Sequence, residues 1–182
     1  MPFLKDFKKA NQDINKFLSF INHLTREGKE LIEIESSNNN VLNMFDKFSG
    51  VDAIQITKDN QIRGVAMRVQ YGNAWNTFTI RYKRASGAKT EYEKRVEALK
   101  NEKTYPQLTI QCYLSNDAKK ILSVGIIRTR DLYEQIEKYP DIRNFRKAKE
   151  DGNKFMYVHF DNLQNILIYD GLKNNIYFKK VA

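Results

Sequence analysis

The sequence is poor in residues that several common kinds of site require. Cysteine occurs once in 182 residues, at Cys112, which excludes a disulfide framework and any thiolate zinc site. Cys112 sits in an apolar run and reads as a buried core thiol. Histidine occurs twice. His23 lies beside the apolar stripe of a helix, and His159 lies in a strand with no acid–nucleophile pair near it, so no catalytic triad is legible. Three prolines and eight glycines exclude a collagenous or low-complexity chain. Neither the G-x-G-x-x-G fingerprint nor the G-x-x-x-x-G-K-[ST] loop occurs, so dinucleotide and phosphate-loop chemistry lack support. No apolar run approaches the roughly 18–20 residues of a membrane span. Met1 to Lys9 leads into an amphipathic segment instead of an apolar secretory core. The expectation is a cytoplasmic chain with no signal peptide and no membrane partner.

Positive charge, by contrast, is abundant. Thirty-one Lys and Arg against 22 Asp and Glu give a formal net charge of +9. On a domain this size that balance favours a polyanionic partner, DNA first. A lysine- and asparagine-rich coding bias would leave the same composition. Apolar residues make up 41% of the chain, enough for a core that needs no staples.

Along the chain, Phe3, Phe7, Ala10, Ile14, Phe17, Ile21 and Leu24 step by four and three, which predicts a long N-terminal helix. The pattern pauses at Gly28 and resumes through Leu31, Ile32 and Ile34, then breaks at the polar run 36–40. A short apolar set over 41–48 leads to a turn at Ser49-Gly50. From Val51 the period becomes two. Strands are expected at 51–57, 64–71 and 77–83, joined by turns at 58–61 and 72–73, as a three-stranded antiparallel meander. Thr90 and Glu93 form a capping box that opens a helix through Tyr92, Val96 and Leu99. Strands follow at 108–114 and 121–127, with a short helix over 131–139 that stops at Pro140. The charged stretch 141–151 reads as a loop or a solvated helix, and 155–160, 165–169 and 175–181 as short antiparallel strands. The class is α+β with a mixed central sheet, and the crossover helix is expected to make the strands it joins parallel. One domain over 1–182 is expected, with a core over 1–115 and a β-rich extension over 116–182.

With so little histidine and cysteine, catalysis would have to rest on carboxylates and a divalent metal. Asp52 is the first candidate, at the head of a strand just after Ser49-Gly50-Val51 and ahead of a hairpin. A strand-start Asp can equally close a turn through its own side chain. The element order helix, meander, helix, strand, with Gly50-Val51-Asp52-Ala53-Ile54 opening one strand and Arg68-Val69-Gln70 on its hairpin partner, resembles the PD-(D/E)XK nuclease superfamily over about residues 1–115. The resemblance implies a restriction-endonuclease-like core and Mg2+- or Mn2+-dependent hydrolysis of DNA phosphodiesters. It implies Asp52 as a metal ligand and Gln70 near the nucleophilic water. Arg68 stands where that family places an acid, and a guanidinium cannot ligate a metal. Glu91 is the first choice for a second carboxylate supplied from the next helix. Glu93 is already explained by the capping box, and Glu30, Glu33 and Glu35 are further sources.

The basic sheet face is the other candidate. Arg68 and Gln70 are expected alongside Thr79, Arg81 and Lys83, a set suited to phosphate and base contacts. Arg84 and Lys89 bracket a loop of small residues just before a helix N-terminus, a natural phosphate position. Tyr71 and Trp75 flank a turn, where they would pack the hairpin end or stack on an unpaired base. Arg143, Arg146, Lys147 and Lys149 form a second basic cluster. Three readings follow: a metal-dependent DNA endonuclease or a degenerate relative of one, a non-catalytic nucleic-acid-binding protein using the basic face, and a protein-interaction or inhibitor factor. The oligomeric state, a homodimer included, is left open.

Overall fold

The period-two segment from Val51 onward folds as a hairpin at the heart of a mixed sheet. The computed structural model describes residues 13, 17–25, 27–34, 50–148 and 152–170. Helix α1 spans Leu18–Leu24. Strands β1 (Gly28–Glu33), β2 (Ala53–Thr57), β3 (Ile62–Tyr71) and β4 (Thr77–Lys83) follow, then α2 (Glu91–Lys100), β5 (Leu108–Leu114), β6 (Ile121–Arg128) and α3 (Thr129–Lys138). The chain closes with β7 (Asn144–Lys147), β8 (Lys154–His159) and β9 (Leu167–Asp170), with 3-10 turns at Pro140–Ile142 and Phe160–Leu163. One sheet has the order β1-β2-β3-β5-β6-β9 and the other β4-β8-β7. Among the described strands only β3 and β5 pair in parallel. The class is therefore α+β with a mixed sheet, as expected. No helix among the described residues is long and apolar enough to cross a membrane.

Four expectations need correction. The apolar set after Gly28 is strand β1, not helix: Leu31 turns inward, Ile32 outward, and the segment pairs antiparallel with β2. Strand β4 does not complete a meander. The place beside β3 is taken by β5, whose residues are buried on both faces, as a central strand requires; β4 has one polar face and suits a margin. The helix α2 consequently joins strands of different sheets, and the parallel pair is β3 with β5. Residues 144–147 are a strand, paired antiparallel with β8 from Asn144 opposite Tyr157 to Lys147 opposite Lys154, so their backbone bonds are made across the sheet and not within a helix or loop. The helix stripe ahead of Phe17, the apolar set over 41–48 and the strand over 175–181 lie outside the described residues.

Two cores flank the large sheet. On one face Leu108, Ile110, Cys112 and Leu114 of β5 pack with Ile21 and Leu24 of α1, Val65, Val124 and Ile126. On the other, Tyr113 and Ile127 meet Phe78 and Ile80 of β4, Met156 and Val158 of β8, and Leu132, Tyr133 and Ile136 of α3. Residues beyond 115 thus supply both β6 and β9 to the large sheet and two of the three strands of the small one. The margin of β4 is held to the large sheet by side chains. The Thr77 amide donates to the Tyr113 hydroxyl at 3.1 Å and the Thr79 amide to Gln111 Oε1 at 3.2 Å. The Arg81 amide donates to Glu91 Oε2 at 3.4 Å. Tyr113 Oη returns a bond to the Thr77 carbonyl at 2.7 Å.

Candidate functional site

Because Phe78 and Ile80 of β4 face the core, Thr77, Thr79 and Arg81 face the other way. The register extends that face across the small sheet. Thr77 lies beside His159, Thr79 beside Tyr157, and Arg81 beside Phe155, which in turn neighbours Arg146 of β7. Arg68 and Gln70 of β3 face the same space, since Val65, Met67 and Val69 are turned to the first core. Together with Tyr71, Trp75, Lys147 and Ala148 these residues, Arg81 excepted, enclose a cleft of about 860 Å³. No Asp or Glu is among its described lining residues.

Aromatic and cationic groups interleave along the cleft. The guanidinium carbons of Arg68 and Arg81 stand 5.9 and 5.6 Å from the centre of the Phe155 ring, within cation–π range. The Tyr157 and His159 rings meet edge to face at 5.8 Å. Trp75, expected to pack the hairpin end, is instead 59% exposed on the loop between β3 and β4, where Gly72 and Asn76 both take positive φ and carry the chain away from the sheet. Tyr71 does pack against the first core, and its hydroxyl donates to Asp13 Oδ2 at 3.1 Å. Burial, then the Asp13 carboxylate, pushes the Tyr71 hydroxyl up to about 12. Behind the cleft, Gln111 is 1% exposed and lies in register with Arg68; its Nε2 donor has no partner among the described residues.

The two carboxylates singled out from the sequence are each engaged in the scaffold. Strand β2 begins at Ala53, opposite Val65, while β3 runs on to Tyr71, so beyond Val65 the outer side of β3 has no strand beside it among the described residues. Asp52 fills that gap: Oδ2 accepts the Met67 amide at 2.6 Å, while its own amide donates to the Val65 carbonyl at 2.8 Å. Glu91 opens α2, and its Oε2 accepts from Arg68 Nη2 at 2.8 Å as well as from the Arg81 amide. The acid expected to help hold a metal thus meets the guanidinium of Arg68. Among the described residues no three His, Cys, Asp or Glu side chains lie close enough together to hold an ion. Asp52 and Glu91 therefore do not form a donor set for Mg2+ or Mn2+ among the described residues, while Glu35 and the side chain of Glu33 lie outside them.

Of the expected cations, Arg68 lines the cleft and Arg81 reaches it over Phe155. They meet by packing of one sheet on the other, not by the strand pairing expected. Lys83, past an irregularity in β4, lies in register with Lys154, and Lys89 pairs with Glu97. Arg84, like those two, is not among the described lining residues. The N-terminus of α2 is capped by its own chain: Thr90 Oγ1 accepts the Glu93 amide and Glu93 Oε2 accepts the Thr90 amide. Phe155 and Tyr157 were not among the residues expected at a site, and His159 was considered only as a catalytic base, not as a wall of a cleft. Their alternation with Met156, Val158 and Phe160 was the available signal, obscured because both sets are largely apolar.

No family model and no curated protein matches the chain. Among solved structures it is similar to the restriction endonuclease MspI in complex with its cognate DNA, at 11% identity and a TM-score of 0.31. That match covers 59% of this chain and 62% of the other, so the chain spans less than two thirds of it.

Proposed function

We propose that this protein binds nucleic acid in the cleft between its two sheets and does not cleave it, as a degenerate relative of the nucleases its sequence resembles. One observation carries the reading. The cleft is lined by Arg68, Arg146, Lys147 and aromatic rings with no described carboxylate, while Asp52 and Glu91 are bonded to Met67 and Arg68. Phosphodiester hydrolysis through a metal needs acids converging on one point. A backbone-binding groove needs cations, and the chain's charge of +9 supplies the long-range attraction.

The cations anchor phosphates, while Gln70 and Thr79 offer donors and acceptors to base edges. The Arg68–Glu91 pair fixes one of the cations that line the cleft. Incubation of the purified protein with plasmid and Mg2+ or Mn2+, beside the Asp52→Ala variant, tests the cleavage half. The expected outcome is no metal-dependent nicking by either. Nicking that Asp52→Ala abolishes would restore the endonuclease reading. Retention on DNA that falls steeply with salt tests the binding half, and its absence would leave the protein-interaction reading.

A further inference from the structure

We infer that the cleft takes an unpaired base, so the ligand is a single strand or a nucleic acid with an extruded nucleotide, not an intact duplex. This rests on the reading of the cleft as a nucleic-acid site. In a paired duplex the faces of the bases are hidden by stacking, and a side chain reaches only their edges and the phosphates. An aromatic ring presented outward in a groove gains a stacking partner only from a base that has left the stack. Trp75 is such a ring. It is more than half exposed at the cleft's margin, on a loop whose backbone turns place it outside both cores.

The dimensions agree. At about 860 Å³ the cleft falls within the range that encloses a small organic ligand, enough for one or two nucleotides. A duplex, whose major groove alone is about 12 Å wide, would lie across its mouth and leave the interior empty. The chemistry inside also suits a base. Tyr157 and His159 add rings, Gln70 can both donate and accept, and Thr79 adds a hydroxyl. Arg146 and Lys147, exposed on β7, stand where the sugar-phosphate chain would leave.

Trp75 is the only tryptophan in the chain, so its emission reports on this place alone. The experiment titrates the full-length protein with an oligothymidylate, an oligouridylate and a blunt DNA duplex of equal length at low salt. It follows tryptophan emission and, separately, the anisotropy of labelled strands. Quenching by either single strand and not by the duplex supports the inference. Trp75→Ala should then weaken single-strand binding on the order of tenfold, with Trp75→Phe restoring most of it. Duplex and single strands binding alike with salt dependence, and with no quenching, would overturn the inference while leaving the proposed function intact. Failure of all three to bind at low salt would overturn both. Should Trp75→Ala not fold, the quenching comparison in the unaltered protein decides.

Discussion

Arg95 shows how a charged side chain earns burial. It lies on the inner side of α2, 5% exposed, and its Nη2 donates to the Gly50 carbonyl at 2.6 Å. Gly50 has φ of +58°, and a Cβ there would come within 2.7 Å of the same nitrogen. The glycine is needed for its backbone and for the guanidinium beside it. Arg95→Ala should cost about 2 kcal/mol, the scale of a hydrogen bond from a charged donor, read as a lower urea midpoint. Gly50→Ala should also lower that midpoint. Cys112 is a second residue-scale case. Burial pushes its thiol up to about 12, so it should resist alkylation in the folded protein and react once denatured.

Single elements show where a linear pattern suffices and where it fails. The capping box at Thr90 and Glu93 was legible because its bonds are local, and both form. Thr90→Ala should destabilise by about 1 kcal/mol in chemical denaturation. Leu108–Leu114 was legible as a strand for the same reason, since a run buried on both sides looks alike wherever it is placed. The neighbours of Thr77–Lys83 were not. Its alternation fixed which residues face the core, but which strand lies beside it depends on residues some 75 positions later, the separation of Thr79 from Tyr157 being of that order. The site inherited that gap. Asp52, Arg68, Gln70 and Arg81 could be picked out by residue type, whereas the wall built by Phe155, Tyr157 and His159 required the pairing to be known. Gly125 is an element-scale constraint of another kind. A Cβ added there would fall 2.2 Å from the Phe160 ring, so Gly125→Val should cost about 1–3 kcal/mol through overpacking, measurable as a drop in Tm.

For the molecule as a whole, charge and ionisation set the conditions under which it holds together and binds. Each phosphate contact removed from a single-stranded ligand should reduce the slope of log affinity against log salt by about 0.7. Arg146→Ala and Lys147→Ala should each shift that slope, and an unchanged slope would remove β7 from the interface. At alkaline pH the fold opposes ionisation. Burial raises Cys112 from 9.0 to about 12, and raises Tyr71 and Tyr92 from 10.0 to about 12 with help from Asp13 and Glu137. A raised value in the folded state means the neutral form is favoured there. The stability it contributes is complete below the unfolded value of each group and lost as pH climbs through the folded one. Stability should therefore decline between about pH 9 and 12, and Cys112→Ala should flatten the earliest part of that decline in circular dichroism.

The margin of β4 carries one more consequence. Its outward amides are answered by a phenol, a carboxamide and a carboxylate that cannot be duplicated by a visiting chain. Where most sheet borders invite a neighbour to zip on and propagate, this one is already sealed, so among the described strands of the small sheet it is β7 whose outer side is left for another strand.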